Sequence, residues 1–175
     1  VDGNAGTNNV TANSLRMSAA TGIGTGADPI ETTVTNLAAS GGTGGVFVDN
    51  SIALEVTTVA ALVGVTATGG GVTITNAAGN MTLVSVTATD QVNLTASVGS
   101  ILDDDVNGTV ISAAGTTLTA GAAIGATGAN SQLDTTVATL TANAAAGSVF
   151  IGETDAVTLQ TVTALGGGND VNVTN

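Results

Sequence analysis

One long stretch of this chain occurs twice. Residues 30–62 (IETTVTNLAASGGTGGVFVDNSIALEVTTVAAL) recur at 133–165 (LDTTVATLTANAAAGSVFIGETDAVTLQTVTAL) at a constant offset of 103, with 13 of 33 positions identical. The chain has 2 Phe residues, and both fall in register, in Val46-Phe47-Val48 and Val149-Phe150-Ile151. Biased composition scatters Thr and Val matches at random but does not align the rarest side chains, so the repeat is genuine. Upstream, Gly22-Ile23-Gly24 corresponds to Ala123-Ile124-Gly125 at an offset of 101. Downstream, Val72-Thr73-Ile74-Thr75-Asn76 matches Val171-Asn172-Val173-Thr174-Asn175, and Val1-Asp2 matches Leu102-Asp103. The expected organisation is one segment over 1–175 holding a first copy at 1–101 and a truncated second copy at 102–175.

A shorter period lies inside the long one. Leu15, Leu37, Val59, Ile74, Leu94, Leu118, Leu140 and Val162 are separated by 22, 22, 15, 20, 24, 22 and 22 residues, a mean of 21. Most are flanked by small polar residues, as expected where an extended strand turns its middle side chain inward and its flanks outward. The step of 15 is too short for a turn, which makes the phasing near residues 60–72 the weakest. Short strands at this spacing, broken by Gly and Asn or Asp, predict a β-solenoid whose successive turns stack as parallel ladders. Five turns then fit the 103-residue unit, and about eight fit the chain.

Composition agrees with a narrow coil. Val, Ile and Thr supply 62 of the 175 residues and the mean hydropathy is +0.46, too apolar for disorder. A coil of this girth takes Val, Ile, Leu and Ala inside and needs Gly or Asn at its corners. A β-sandwich also offers many short strands, and tandem sandwiches of about 100 residues give the long period alone, but neither explains a period nested within a period. No sustained helical stripe is present.

The same composition excludes most chemistry. There is no His, Cys, Lys, Tyr or Trp, so the usual general bases, nucleophiles and thiolate ligands are missing. A net charge of −12 with the single cation Arg16 argues against nucleic acid and against a polybasic membrane contact. The longest apolar run, Val59 to Val65, is far short of a membrane span. Carboxylates working with Arg or Lys in a groove, as in polysaccharide-cleaving β-helices, are disfavoured by the lone Arg. No catalytic, cofactor-binding or metal-binding residue is predicted.

Four features were weighed as sites. Asp103-Asp104-Asp105-Val106-Asn107-Gly108 is the densest acidic spot, a Ca²⁺ loop on one reading and a solvated corner on the other. Gly166-Gly167-Gly168-Asn169-Asp170 echoes a calcium-roll repeat but stands alone, which favours a corner. The Gly-rich stretch 20–26 lacks the Lys-Ser/Thr of a phosphate loop. Five N-x-S/T sequons, at Asn9, Asn80, Asn93, Asn107 and Asn172, are close to chance for so Thr-rich a chain. Beyond these, Thr117/Thr119, Thr139/Thr141 and Thr161/Thr163 suggest an outward Thr array, read either as a hydrogen-bonded structural ladder or, more remotely, as an ice-binding face.

Gly22-Ile23-Gly24-Thr25, Pro29-Ile30-Glu31-Thr32-Thr33-Val34 and Leu37-Ala38-Ala39 give the chain a resemblance to central repeats of filamentous-haemagglutinin-type bacterial surface proteins. The resemblance covers nearly the whole chain, through degenerate motifs that specify architecture more than activity. It implies an all-β, right-handed parallel β-solenoid (β-helix), secreted to the cell surface, acting as a fibre or adhesin shaft. The family's amino-terminal secretion domain is not recognisable, and a leader and initiator Met are missing, so a mature or internal segment is expected. The expected partner is the chain itself, head to tail, or the continuation of a longer chain. Asn175 matches Asn76 and Val1 matches Leu102, so a join omits only unit positions 77–101, about one turn. The alternative is a binding module whose face recognises a glycan or receptor.

Overall fold

A computed structural model describes residue 3 and residues 6–108, 110–128 and 130–175. It is all-β and without helix, a parallel β-solenoid of about seven turns. Sixteen strands form one continuous sheet that winds about the axis. Each complete turn has three faces. Val72–Asn76, Met81–Leu83 and Val86–Ala88 make one turn, and Gln91–Ala96 then lies parallel on Val72–Asn76 to begin the next. The strands alternate buried and half-exposed residues, which is the period of two expected of a sheet with one face to the core.

One stacked column measures the pitch. It runs Val10, Thr32, Asn50, Asn76, Ala96, Ala120, Ala144 and Ala164, in steps of 18 to 26 residues that average 22. A second column is Ile30, Val48, Ile74, Leu94, Leu118, Ala142 and Val162. The corner after the first column is tied from turn to turn by backbone bonds such as Ser51 N–H to Thr32 O (2.9 Å), Ala77 N–H to Asn50 O (2.8 Å) and Ser97 N–H to Asn76 O (2.9 Å). Ladder and corner together leave few backbone groups unpaired in the wall, which is what permits so small a core.

That core is aliphatic. Leu37, Ile74, Leu94, Leu118, Leu133, Leu140 and Ile151 are fully buried, each worth about 1.5–3 kcal/mol of burial. Phe47 and Phe150 point outward and are half-buried. Each sits below a loop that leaves the wall at a glycine of φ +63°, Gly24 in the first copy and Gly125 in the second. A Cβ on Gly24 would stand 2.6 Å from Phe47 O, and one on Gly125 would meet Phe150 O. The positive φ and the close backbone approach both demand glycine.

The predicted phasing needs correction. Leu15 and Leu37 stack with Val56 and not Val59. Val59 belongs to an antiparallel hairpin, Thr58–Val59 with Leu62–Val63, that projects between two faces. Leu140 lies over Thr116, while Leu118 is covered by Ala142. Joining successive leucines slipped because an alanine fills the column on one turn and loops of variable length absorb the difference.

The long repeat also advances differently from expectation. Val46 heads the column Val46, Val72, Val92, Thr116, Leu140. Its counterpart Val149 lies over Ile124, which lies over Ile101, with Met81 and Leu54 beyond. That column belongs to the next face round. The unit therefore spans four turns and one face, not five turns, and the second copy is rotated by a third of a turn about the axis.

Candidate functional site

The most unusual side chain is Asp103. The strand Ile101–Asp103 turns Ile101 inward, Leu102 outward and Asp103 inward, placing its carboxyl in an apolar column directly on Leu83. Asp103 is 6% exposed, and neither carboxyl oxygen has a hydrogen-bond partner. Burial pushes its pKa up to about 6, with Asp104 and Asp134 adding like-charge repulsion. The backbone N–H of Asp105 acts in the opposite direction without closing a hydrogen bond.

The neighbouring acids turn elsewhere. Asp104 Oδ1 accepts from Val106 N–H at 3.2 Å, a local turn, and Asp105, at φ +62°, accepts from the Ser131 hydroxyl at 2.6 Å. Asp134 Oδ2 accepts from Gly108 N–H at 3.3 Å. The three consecutive aspartates thus diverge. Among the described residues no group of three or more carboxylates is placed to hold a metal ion. The counterpart Asp2 lies outside the described residues.

The segment Gly166–Asp170 is a corner. Asn169 Nδ2 donates to Leu165 O, and Asp170 N–H donates to Ser148 Oγ at 3.0 Å. Its neighbours supply no further carboxylate.

Sequence reasoning missed a pair of buried polar nodes. In the first copy Asn50 Oδ1 accepts from the Thr32 hydroxyl at 2.9 Å and from Val34 N–H at 3.0 Å. In the second copy Glu153 takes its place, accepting from the Thr135 hydroxyl at 2.7 Å and from Val137 N–H at 3.1 Å. The offset of 103 relates every member, so the signal was present as Thr32/Thr135 and Asn50/Glu153. Over each node lies a shallow open groove. One of about 240 Å³ is lined by Glu31, Asp49, Ser51 and Thr75. The other, of about 370 Å³, is lined by Asp134, Thr154, Thr174 and Gln132.

The Thr array is more regular than the sequence suggests. Stacked pairs on one outer face are Thr73/Thr75, Asn93/Thr95, Thr117/Thr119, Thr141/Asn143 and Thr161/Thr163. Thr139 lies beside Gly115 and outside this array, which corrects the predicted Thr139/Thr141 pairing.

Comparison with family models, curated proteins and solved structures finds no match. The fold itself supplies the classification: a parallel β-solenoid of about seven turns.

Proposed function

We propose that the chain is a length of shaft from an extracellular bacterial fibre or adhesin of the filamentous-haemagglutinin type. The observation that carries this reading is the single parallel sheet winding through the described turns, with the same backbone ladder repeated at each. Such a rod transmits load through many parallel hydrogen bonds and buried aliphatic columns. Its charge of −12 keeps neighbouring shafts apart in solution. Arg16 is the chain's only trypsin-type cleavage point, a property suited to an exposed surface. Further turns, from a second copy or from continuing chain, add on the open edges of the terminal strands Val10–Ser18 and Thr158–Ala164 and extend the rod.

Electron microscopy combined with fibre diffraction tests this. Concentrated protein should show rods with an axial repeat of about 4.8 Å. Compact monomers at every concentration would contradict assembly by this chain alone. Mass spectrometry of the native polypeptide should then show the solenoid continuing in a longer chain, and a chain ending with this segment would overturn the shaft reading.

A further inference from the structure

We propose that the Thr-bearing outer face is a binding surface for ice, the ordered water lattice at the surface of an ice crystal. This function is independent of the shaft reading. On five consecutive turns the outward positions are Thr-x-Thr, or the same pattern with one Asn, giving two parallel files of short polar side chains. Parallel ladder geometry spaces the files' members about 4.8 Å along the axis and, two residues apart, about 6.6 Å along each strand. That rectangular net is close to the oxygen repeat on the prism face of ice.

A structural Thr ladder would spend its hydroxyls on hydrogen bonds to the next turn. Here, among the described residues, only Thr163 does so, donating to Asn143 Oδ1 at 2.7 Å. The hydroxyls of Thr73, Thr75, Thr95, Thr117, Thr119 and Thr141 have no protein partner, and all six residues are half- or fully exposed. They remain available to water, while the Thr methyl groups between them order water without binding it. β-branching restricts each Thr at χ1, and the strands beneath are fixed by parallel neighbours, so little freedom is lost on docking to a rigid lattice.

Charge distribution points the same way. The ten array positions carry no ionisable group on a protein of net charge −12. The other two faces differ. One presents Glu55, Thr82 and Leu102 in stacked outward positions. The other has a single file, Ser40, Thr66, Thr87, Ser112 and Thr136. Only the first face offers a two-dimensional net.

The test is ice-affinity partitioning. A dilute solution of the purified protein is frozen slowly from a seeded surface, and the protein in ice and liquid is measured. The protein should enter the ice at least several-fold more than Thr95→Tyr or Thr119→Tyr, whose rings stand above the net. Thr87→Tyr, on the single-file face, should behave as the parent, with circular dichroism confirming the fold of each. Should a tyrosine variant not fold, Thr119→Lys at the same exposed position replaces it. Exclusion of the parent protein from ice overturns the proposal. So does equal uptake by folded variants of both faces.

Discussion

The two copies of the repeat solve one local problem with different chemistry. Both must satisfy a buried Thr hydroxyl and a buried backbone N–H, at Thr32 and Val34 in one copy and at Thr135 and Val137 in the other. Asn50 does this with its carbonyl oxygen and uses its amide to donate to Ile52 O (2.7 Å) and Asn76 Oδ1 (3.1 Å), which fastens two turns together. Glu153 has no donor to offer in its ionised form. It instead takes a third bond, from Thr154 N–H at 3.2 Å. The corner carbonyl of Asp155, counterpart of Ile52 O, is then met by Asn175 Nδ2 from the following turn. Acceptance is thus the common requirement of the node, and donation is a separable task that a neighbouring turn takes over.

Asp103 sharpens the contrast. It is as deeply buried as Glu153 but has no hydrogen-bond donor where Glu153 has three. Burial of a carboxylate is tolerable when the donors come with it and costly when they do not.

The largest effect is expected at the node. Asn50→Leu strands Thr32, Val34 and Asn76 at once and should cost about 3–5 kcal/mol in denaturant unfolding. Glu153→Gln keeps an acceptor and should cost only about 1 kcal/mol; equal losses at the two sites would show that acceptance is not the shared requirement.

Next is Asp103. Its folded pKa of about 6 lies above the usual 3.8, so the folded state binds the proton more tightly than the unfolded chain. Stability is therefore highest below about pH 4, falls as pH rises through about 4 to 6, and stays low above. The full shift corresponds to about 3 kcal/mol. Asp103→Asn should stabilise the protein at pH 7 by a comparable amount and change little at pH 3.5. A pH-independent effect of this substitution would contradict the assignment.

A smaller effect is expected at the paired glycines. Gly24→Ala and Gly125→Ala each place a Cβ against the carbonyl of a Phe at φ +63° and should both lower the midpoint, by about 1–3 kcal/mol. If only one does, the two loops are not equivalent.

The smallest concerns the hairpin. Ala60 and Ala61 hold φ of +47° and +68° at its tip, where a two-residue turn favours Asn-Gly. The homologous Thr163 and Ala164 lie in the straight strand Thr158–Ala164. Replacing Ala60-Ala61 by Asn-Gly should stabilise by about 1–2 kcal/mol, whereas the same change at Thr163-Ala164 should destabilise.

Much of the architecture was legible because it rests on alternation and repetition. The inward Val46, Val48, Ile74 and Leu94 are all apolar between polar neighbours, and the offset of 103 located the equivalent strands. The exact stacking was not legible. Ala142 and Val162 occupy the same column as Leu118, and nothing local distinguishes an alanine that fills a core position from one at a corner. The hairpin hid for a related reason, since residues 54–62 and 157–165 align in sequence but pack differently. Asp103 was legible as an acidic residue and not as a buried one, because its inward direction follows only from the phase set by Ile101 on the turn below. The node residues were quoted within the repeat, but pairing Asn50 with Thr32 needed the 18-residue turn that the structure reveals.

Because the chain has no cysteine, disulfide trapping reads the register of the coil without background. Thr117 and Thr141 are direct neighbours on adjacent turns, 24 residues apart. Their Cα separation of about 4.8 Å lies within disulfide range, whereas Thr117 and Thr139 are diagonal, at about 8 Å, beyond it. Mild oxidation of the Thr117→Cys/Thr141→Cys protein should give an intramolecular disulfide rapidly and nearly completely, and the Thr117→Cys/Thr139→Cys protein should stay reduced. Cross-linking of the second pair in preference to the first would contradict the register on which the fold, the rotation of the repeat and the Thr net all depend.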